Sequence, residues 1–102
     1  MAQTVKLTKP IRNAAGSEVS ELTVKEITTA MYFKYGELMR HEVRTNGNVE
    51  TIFVAVNMDA LRGYMADCTG LPAPLLDTMH PRDIMAVKAV VEGFFQGLQA
   101  AN

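Results

Sequence analysis

Residues 71–98 carry the signal that most constrains the fold, a proline followed by a long amphipathic repeat. Pro81 suits the first turn of a helix, because its missing N–H would have no partner there and its φ is already helical. His80 then takes the N-cap position, and Asp83 places a carboxylate near the positive end of the helix dipole. Apolar residues recur at steps of three and four, namely Ile84, Val87, Val91, Phe94, Phe95 and Leu98. The pattern predicts a helix over about 81–98.

Two glycines interrupt this helix one turn apart. Gly93 and Gly97 form a step that favours close helix packing in membranes, but Lys88, Glu92 and Gln96 break the apolar run, so we reject a membrane span. Each glycine costs a helix about 1 kcal/mol relative to alanine, which leads us to expect a packing reason. Either another backbone of the same chain approaches closely, or the glycines contact a subunit or partner.

Composition excludes several classes of function. The chain has 102 residues, 48% of them hydrophobic and 21% charged, which is typical of one globular domain spanning 1–102. A formal net charge of −1 gives no basic face for a phosphate backbone, so nucleic acid is not an expected partner. A single cysteine cannot form an internal disulfide, which fits a reducing compartment. We expect neither a secretory signal nor a transmembrane helix.

The N-terminal quarter of the chain predicts a β-hairpin over about 3–24. Residues 3–8 and 18–24 alternate polar and apolar side chains, which is typical of half-buried strands. Pro10 ends the first run because it has no N–H for a ladder, and residues 13–17 supply loop chemistry. An isolated hairpin is marginal in water, so it must lean on helices or on another subunit.

The middle of the chain is ambiguous between helix and strand. Spacing favours a helix over about 26–43, capped by Thr28 or Thr29, and a second over about 50–69. The alternative for the second segment is a hairpin turned at Asn46-Gly47, with Asn57 capping a shorter helix. We favour the helix, so the sequence predicts an α+β fold in which the N-terminal hairpin precedes a bundle of about three helices.

No arrangement of residues predicts catalysis or metal binding. His41-Glu42 begins like a zinc-protease helix, but Thr45 stands where the second histidine would be. There is no glycine-rich phosphate loop, and nothing brings serine, histidine and aspartate together. Cys68 is expected to be a small core residue. We therefore predict a protein that is not an enzyme and needs neither cofactor nor metal.

Three stretches of the chain resemble the small tail assembly chaperones of contractile-tailed temperate bacteriophages and prophages. They are the opening hairpin (TVKLTKPI, then ELTVKEI), the helix closed by Gly-Leu-Pro (NMDALRGYMADCTGLP) and the final helix (MHPRDIMAVKAVVEGFF). Together they cover most of the sequence, and the segment 40–56 matches least well.

The resemblance implies a role in the bacterial host cytoplasm during tail assembly. Members of this family are thought to coat the tape measure protein, a long and largely helical ruler, and to recruit tail tube subunits. They are absent from the finished particle, and some are also made in a longer, frameshifted form. Neither a membrane nor a small-molecule substrate is implied.

A chaperone for a helical client needs an adaptable apolar surface. Methionines repack around varied partners, and this chain could offer Met31, Met39, Met58, Met65, Met79 and Met85. We predict that the patch for client binding or self-association lies near the end of the last helix, at Gly93, Phe94, Phe95, Gly97 and Leu98. Substituting Phe95 by Glu is expected to abolish client binding and leave the monomer folded. The main alternative is a structural tail or connector component retained in the virion.

Overall fold

The structure, a computed structural model, describes residues 2–100 and has an α+β architecture. Its elements follow one another as β1 (Gln3–Arg12), β2 (Glu18–Val24), α1 (Thr29–Tyr35), β3 (Met39–Asn46), β4 (Val49–Val56), α2 (Met58–Thr69), α3 (Ala73–Leu76) and α4 (Pro81–Ala100). The strands form two separate two-stranded antiparallel sheets, β1–β2 and β3–β4. The predicted N-terminal hairpin and final helix are both present.

The first hairpin supplies one layer of the core. Its inward side chains are buried because alternation puts them on one face against the helices, as at Val5, Leu22 and Val24. Between Lys6 and Ile11 the register with β2 is irregular, around the proline that cannot donate to the ladder. The expectation that Pro10 ends the first strand was wrong, because Ile11 and Arg12 pair with β2 again beyond it. This irregular stretch of β1 lies against α4.

The first predicted helix is much shorter than expected. Thr28 caps α1 by accepting a hydrogen bond from the Met31 N–H at 3.2 Å, as predicted. The helix stops at Gly36, whose φ of 78° is strained for other residues. The prediction of helix over 26–43 was therefore wrong beyond residue 35, because residues 39–46 pair as a strand with a later segment.

The second predicted helix is also corrected at its start. Residues 49–56 form β4, so the helix expected over 50–69 begins only at Met58. The β-branched content outweighed the helical spacing once Gly47, at φ 65°, allowed a two-residue turn from β3. Asn57 then caps α2 by accepting from the Ala60 N–H at 3.3 Å, and Gly70 closes it in the left-handed conformation. The hairpin that we had kept open as the alternative is observed, but its two-residue turn is Gly47-Asn48 and not the expected Asn46-Gly47, because Asn46 pairs with Val49.

The helices cover the first hairpin instead of forming a bundle of their own, so the predicted three-helix bundle is not confirmed. Helices α2 and α4 pack against each other and against that hairpin, and α1 packs on α2. A ladder of edge-to-face aromatic contacts joins the three helices: Tyr35 to Tyr64 at 5.2 Å between centroids, and Tyr64 to Phe95 at 5.0 Å. Tyr64 is fully buried and donates its hydroxyl hydrogen to the Gly36 carbonyl.

A buried carboxylate fastens α4 to β1. Asp83 accepts hydrogen bonds from the Thr8 N–H at 2.8 Å and the Thr8 hydroxyl at 3.0 Å, and from the Lys9 N–H at 3.2 Å. These groups belong to the irregular stretch of β1, where Asp83 supplies their hydrogen-bond partner. His80 caps the helix as predicted, because its Nδ1 accepts from the Arg82 N–H at 3.1 Å. Asp83 thus anchors a strand as well as facing the helix dipole.

The molecule is elongated because the second hairpin projects from the body. The radius of gyration is 15.9 Å and the principal extents are 56 × 32 × 22 Å, whereas a compact chain of this length has a radius near 13 Å. Strands β3 and β4 pack chiefly against each other. The Asn57 N–H donates to the Leu38 carbonyl at 2.7 Å and closes the base of the hairpin.

Candidate partner-binding surfaces

The predicted patch at the end of α4 divides between core and surface. Phe95 is half-buried against Tyr64, so a charge there would disturb the core as well as any partner contact. Phe94 is also half-buried, whereas Leu98 is 60% exposed. Phe94 and Leu98 line a groove of about 220 Å³ together with Gly93, Gly97, Glu26 and Ile27. Leu98 is therefore a better position than Phe95 at which to test this patch.

Gly93 and Gly97 leave open space where a side chain would lie, in the part of the chain that the structure describes. A Cβ built at either position meets no atom within 4 Å. The expectation that another backbone of this chain packs closely there was wrong. The remaining explanation, a contact with a subunit or partner, stays a prediction.

A methionine-lined groove lies between α2, α3 and α4. Its volume is about 440 Å³, which is within the range of ligand and peptide sites. The apolar side chains that line it are Met58, Leu61, Met65, Leu76, Met79 and Ile84. Met79 and Ile84 come together here because they flank the start of α4, the arrangement of a hydrophobic staple.

Charged residues of both signs border the methionine groove. Asp59, Arg62, Asp77 and Lys88 line it alongside the apolar side chains, and Arg62 pairs with Asp77 at 2.6 Å. An apolar floor with a mixed polar rim fits the apolar face of an amphipathic helix. Methionine adds flexibility, since its unbranched side chain can follow different surfaces.

The second hairpin exposes an apolar face that covers nothing in the described chain. Opposite pairs in the ladder share a face, so Val43 lies beside Ile52, and His41 beside Val54. Val43 and Val54 are each 60% exposed and Ile52 is 67% exposed, with Met39 also exposed at the base. Side chains of this kind normally pack on a core, so this face is a candidate interaction surface.

The opposite face of the hairpin is polar and internally paired. The Arg44 guanidinium lies over the Phe53 ring at 5.0 Å, and Arg40 pairs with Glu42 at 2.9 Å. The charged side chains keep this face hydrated. The two faces of the hairpin therefore differ in chemistry.

The structure of residues 2–100 bears on the Cys68 thiol and on metal binding. Burial, helped by the Asp67 carboxylate, raises the pKa of the Cys68 thiol to about 11, so the thiol is protonated at neutral pH. Within this range no group of three or more histidine, cysteine or acidic side chains could hold a metal ion. No helix there is both long and apolar enough to span a bilayer.

Sequence reasoning missed the hairpin face and the role of Asp83. The β-branched residues at 52, 54 and 56 were the available signal for the face, but the helical spacing of this segment with later residues obscured it. The Asp83 contact joins residues 75 positions apart, and no local pattern records such a pairing. The methionine groove was foreseen only as a general richness in methionine.

An exposed apolar hairpin face and an open methionine groove are surfaces of the kind that bind other proteins. Residues 4–96 match the model of a family described as phage tail assembly chaperone proteins, E, or 41 or 14. The chain belongs to this family, as its resemblance had predicted. No curated protein and no solved structure gives a significant match.

Proposed function

We propose that this chain is a tail assembly chaperone that binds the tape measure protein and helps to recruit tail tube subunits, without itself being a catalyst. The observation that carries the proposal is the family match over residues 4–96. It acts in the host cytoplasm and leaves before the virion is complete. The alternative, a structural component kept in the tail, predicts that the chain is found in purified virions.

The tape measure protein occupies the methionine groove in this proposal. A long helical client offers repeated apolar faces. The groove between α2, α3 and α4 has the size and the apolar lining to bind successive turns of such a helix. Because the rim carries both signs of charge, the groove accepts varied helix surfaces instead of a single sequence. The Phe94–Leu98 groove on α4 is a second client contact in the same proposal.

Two exposed methionines make a matched test of the groove. Met58 is 65% exposed and lines the groove, whereas Met85 is 70% exposed and does not line it. Met58→Glu places a charge where the apolar face of the client would lie, and we expect binding of the tape measure protein to weaken at least tenfold, since an unpaired charge in an apolar contact costs more than about 1.4 kcal/mol. Met85→Glu should bind like the wild type.

Binding is measured by titrating purified chain against labelled tape measure segments. Far-ultraviolet circular dichroism of both variants shows whether the fold is retained. Equal affinities for the two variants would exclude the groove as the client site. In the same assay Leu98→Glu reports on the α4 groove, with unchanged affinity removing that contact from the proposal.

A further inference from the structure

The second hairpin has an unpaired edge along β4. Among residues 2–100 no third strand joins this sheet. Gly47 and Asn48 form a two-residue turn, so Asn46 and Val49 flank it as a hydrogen-bonded pair, and hydrogen-bonded and non-hydrogen-bonded pairs then alternate along the ladder. The backbone N–H and C=O groups of β4 that point away from β3 are therefore those of Glu50, Ile52, Val54 and Val56.

The outer edges of β1 and β3 are protected in ways that this one is not. On β1, the N–H groups of Thr8 and Lys9 are bound by the Asp83 carboxylate. Strand β3 carries several ionisable side chains, namely Arg40, His41, Glu42 and Arg44, and charges of this kind discourage pairing at an edge. Residues 51–56 of β4 carry none. The outer edge of β4 is therefore uncharged over these residues and rich in β-branched side chains.

We propose that a second copy of this chain pairs with β4 through this edge, antiparallel and about a two-fold axis, to form a four-stranded sheet. An isologous contact needs a surface that is complementary to itself, and the β4 edge is. Outward-pointing backbone groups must meet outward-pointing groups, so even-numbered residues lie opposite even-numbered residues. With the axis at Ile52, Glu50 of each copy lies opposite Val54 of the other.

The charge pattern of β4 permits this pairing. Two Glu50 carboxylates would meet only if the two-fold axis passed through Glu50 itself. In that register the two copies would overlap over little more than their hairpin tips. Registers centred on Ile52 or Phe53 place each Glu50 opposite a valine. The same parity puts Ile52 and Val54 of both copies on one face, so the apolar face of the hairpin becomes continuous across the dimer.

The hairpin is accessible to a second copy. It projects from a molecule 56 Å long, and β4 is exposed from Val49 to Val54. A contact made by one pair of strands is smaller than the roughly 1,200 Å² of stable interfaces, so the dimer should dissociate on dilution. Dimerisation is therefore expected to depend on protein concentration.

Two valines give a closely matched test. Val54 and Val43 are each 60% exposed and lie on the same face of the hairpin, but Val54 presents its N–H at the β4 edge and Val43 at the β3 edge. Proline at either position removes an outward N–H and spares the hydrogen bonds between β3 and β4. Sedimentation velocity at protein concentrations up to about 500 µM detects even weak association. Over this range the wild type and Val43→Pro should dimerise, and Val54→Pro should stay monomeric.

Amide hydrogen exchange on the wild type is a second measurement, and it does not depend on whether a proline variant folds. The Ile52 and Val54 amides should become protected as concentration rises, while the Val43 amide continues to exchange rapidly. A wild type that is monomeric at every concentration overturns the proposal. So does a dimer that survives Val54→Pro, one that is lost in Val43→Pro alone, or one in which the Val54 amide stays unprotected.

Discussion

Three glycines inside helices should respond in opposite ways to alanine. Alanine is favoured over glycine in a helix interior by about 1 kcal/mol, and Gly63, Gly93 and Gly97 all lie within helices. They differ in their surroundings: a Cβ at Gly63 would overlap the Tyr35 ring, whereas Gly93 and Gly97 face open space. Gly93→Ala should therefore stabilise the chain by about 0.5–1 kcal/mol, with a smaller gain for Gly97→Ala near the helix end.

Gly63→Ala should instead destabilise the protein. The Tyr35 ring has little room to withdraw, because it packs edge-to-face on Tyr64, which is fully buried and itself contacts Phe95. Overpacking of this kind costs about 1–3 kcal/mol. After the helical gain is subtracted, we expect a net loss of about 0–2 kcal/mol, and a gap of about 1–3 kcal/mol between Gly63→Ala and Gly93→Ala.

Urea denaturation followed by circular dichroism measures this gap. With a slope of about 1–2 kcal/mol per molar urea for a chain of this size, the midpoints of the two variants should differ by roughly 0.5–3 M. In a Tyr35→Ala background the clash is absent, so Gly63→Ala should become stabilising there. Equal midpoints for Gly63→Ala and Gly93→Ala in the otherwise wild-type chain would refute the packing of α1 on α2 described above.

Three further predictions concern acid stability, the thiol and the hairpin. The hydrogen bond from the Thr8 N–H outweighs burial and holds the pKa of Asp83 below its ordinary 3.8. The ionised carboxylate therefore stabilises the fold fully above pH 3.8, and this stabilisation is lost as pH falls through the lower pKa of the folded state. Asp83→Asn should lower the urea midpoint at pH 7 and make the midpoint fall less steeply in acid. Cys68, buried and with its pKa raised to about 11, should react with Ellman's reagent at pH 7 only after denaturant is added, and rapid labelling of the native chain would contradict its placement. Replacing residues 40–55 with a short glycine linker between Leu38 and Asn57, whose backbones are hydrogen-bonded at 2.7 Å, should leave the thermal midpoint of the body nearly unchanged; a large fall would mean that the hairpin supports the core.

Local signals in the sequence predicted the parts of the fold that depend on local chemistry. Pro81 and the apolar repeat after it predicted α4, and alternation predicted the first hairpin. Gly70 and Asn57 were recognised as caps because a cap is decided by the residues on either side of it. These features need no knowledge of distant contacts.

The middle of the chain could not be read in this way. The segment 49–56 has both β-branched residues and helical spacing, and pairing with residues 39–46 decided between them. Pairing of that kind is a tertiary fact, and the exposed position of the hairpin removes the burial pattern that usually reveals a strand. The end of α1 at Gly36 follows from the same competition.

The sequence predicted what kind of surface the candidate site would have, but not which residues form it. Methionine content predicted an adaptable surface, yet Met65 and Met79 are buried whereas Met58 and Met85 are exposed. Spacing along α4 could not separate Phe95, which faces Tyr64, from Leu98, which faces solvent, because the two lie on adjoining parts of one helix face. Only the packing of α2 against α4 makes that distinction.

The most direct test of the proposed role is co-expression with the tape measure protein encoded in the same tail gene cluster. The amount of soluble tape measure protein is compared with and without this chain, and the copies of chain bound to each client are counted by quantitative mass spectrometry after purification. The proposal predicts that the tape measure protein is soluble only in the presence of this chain, with many copies bound to each client. A client equally soluble without the chain, or one that purifies free of it, would contradict the proposed function.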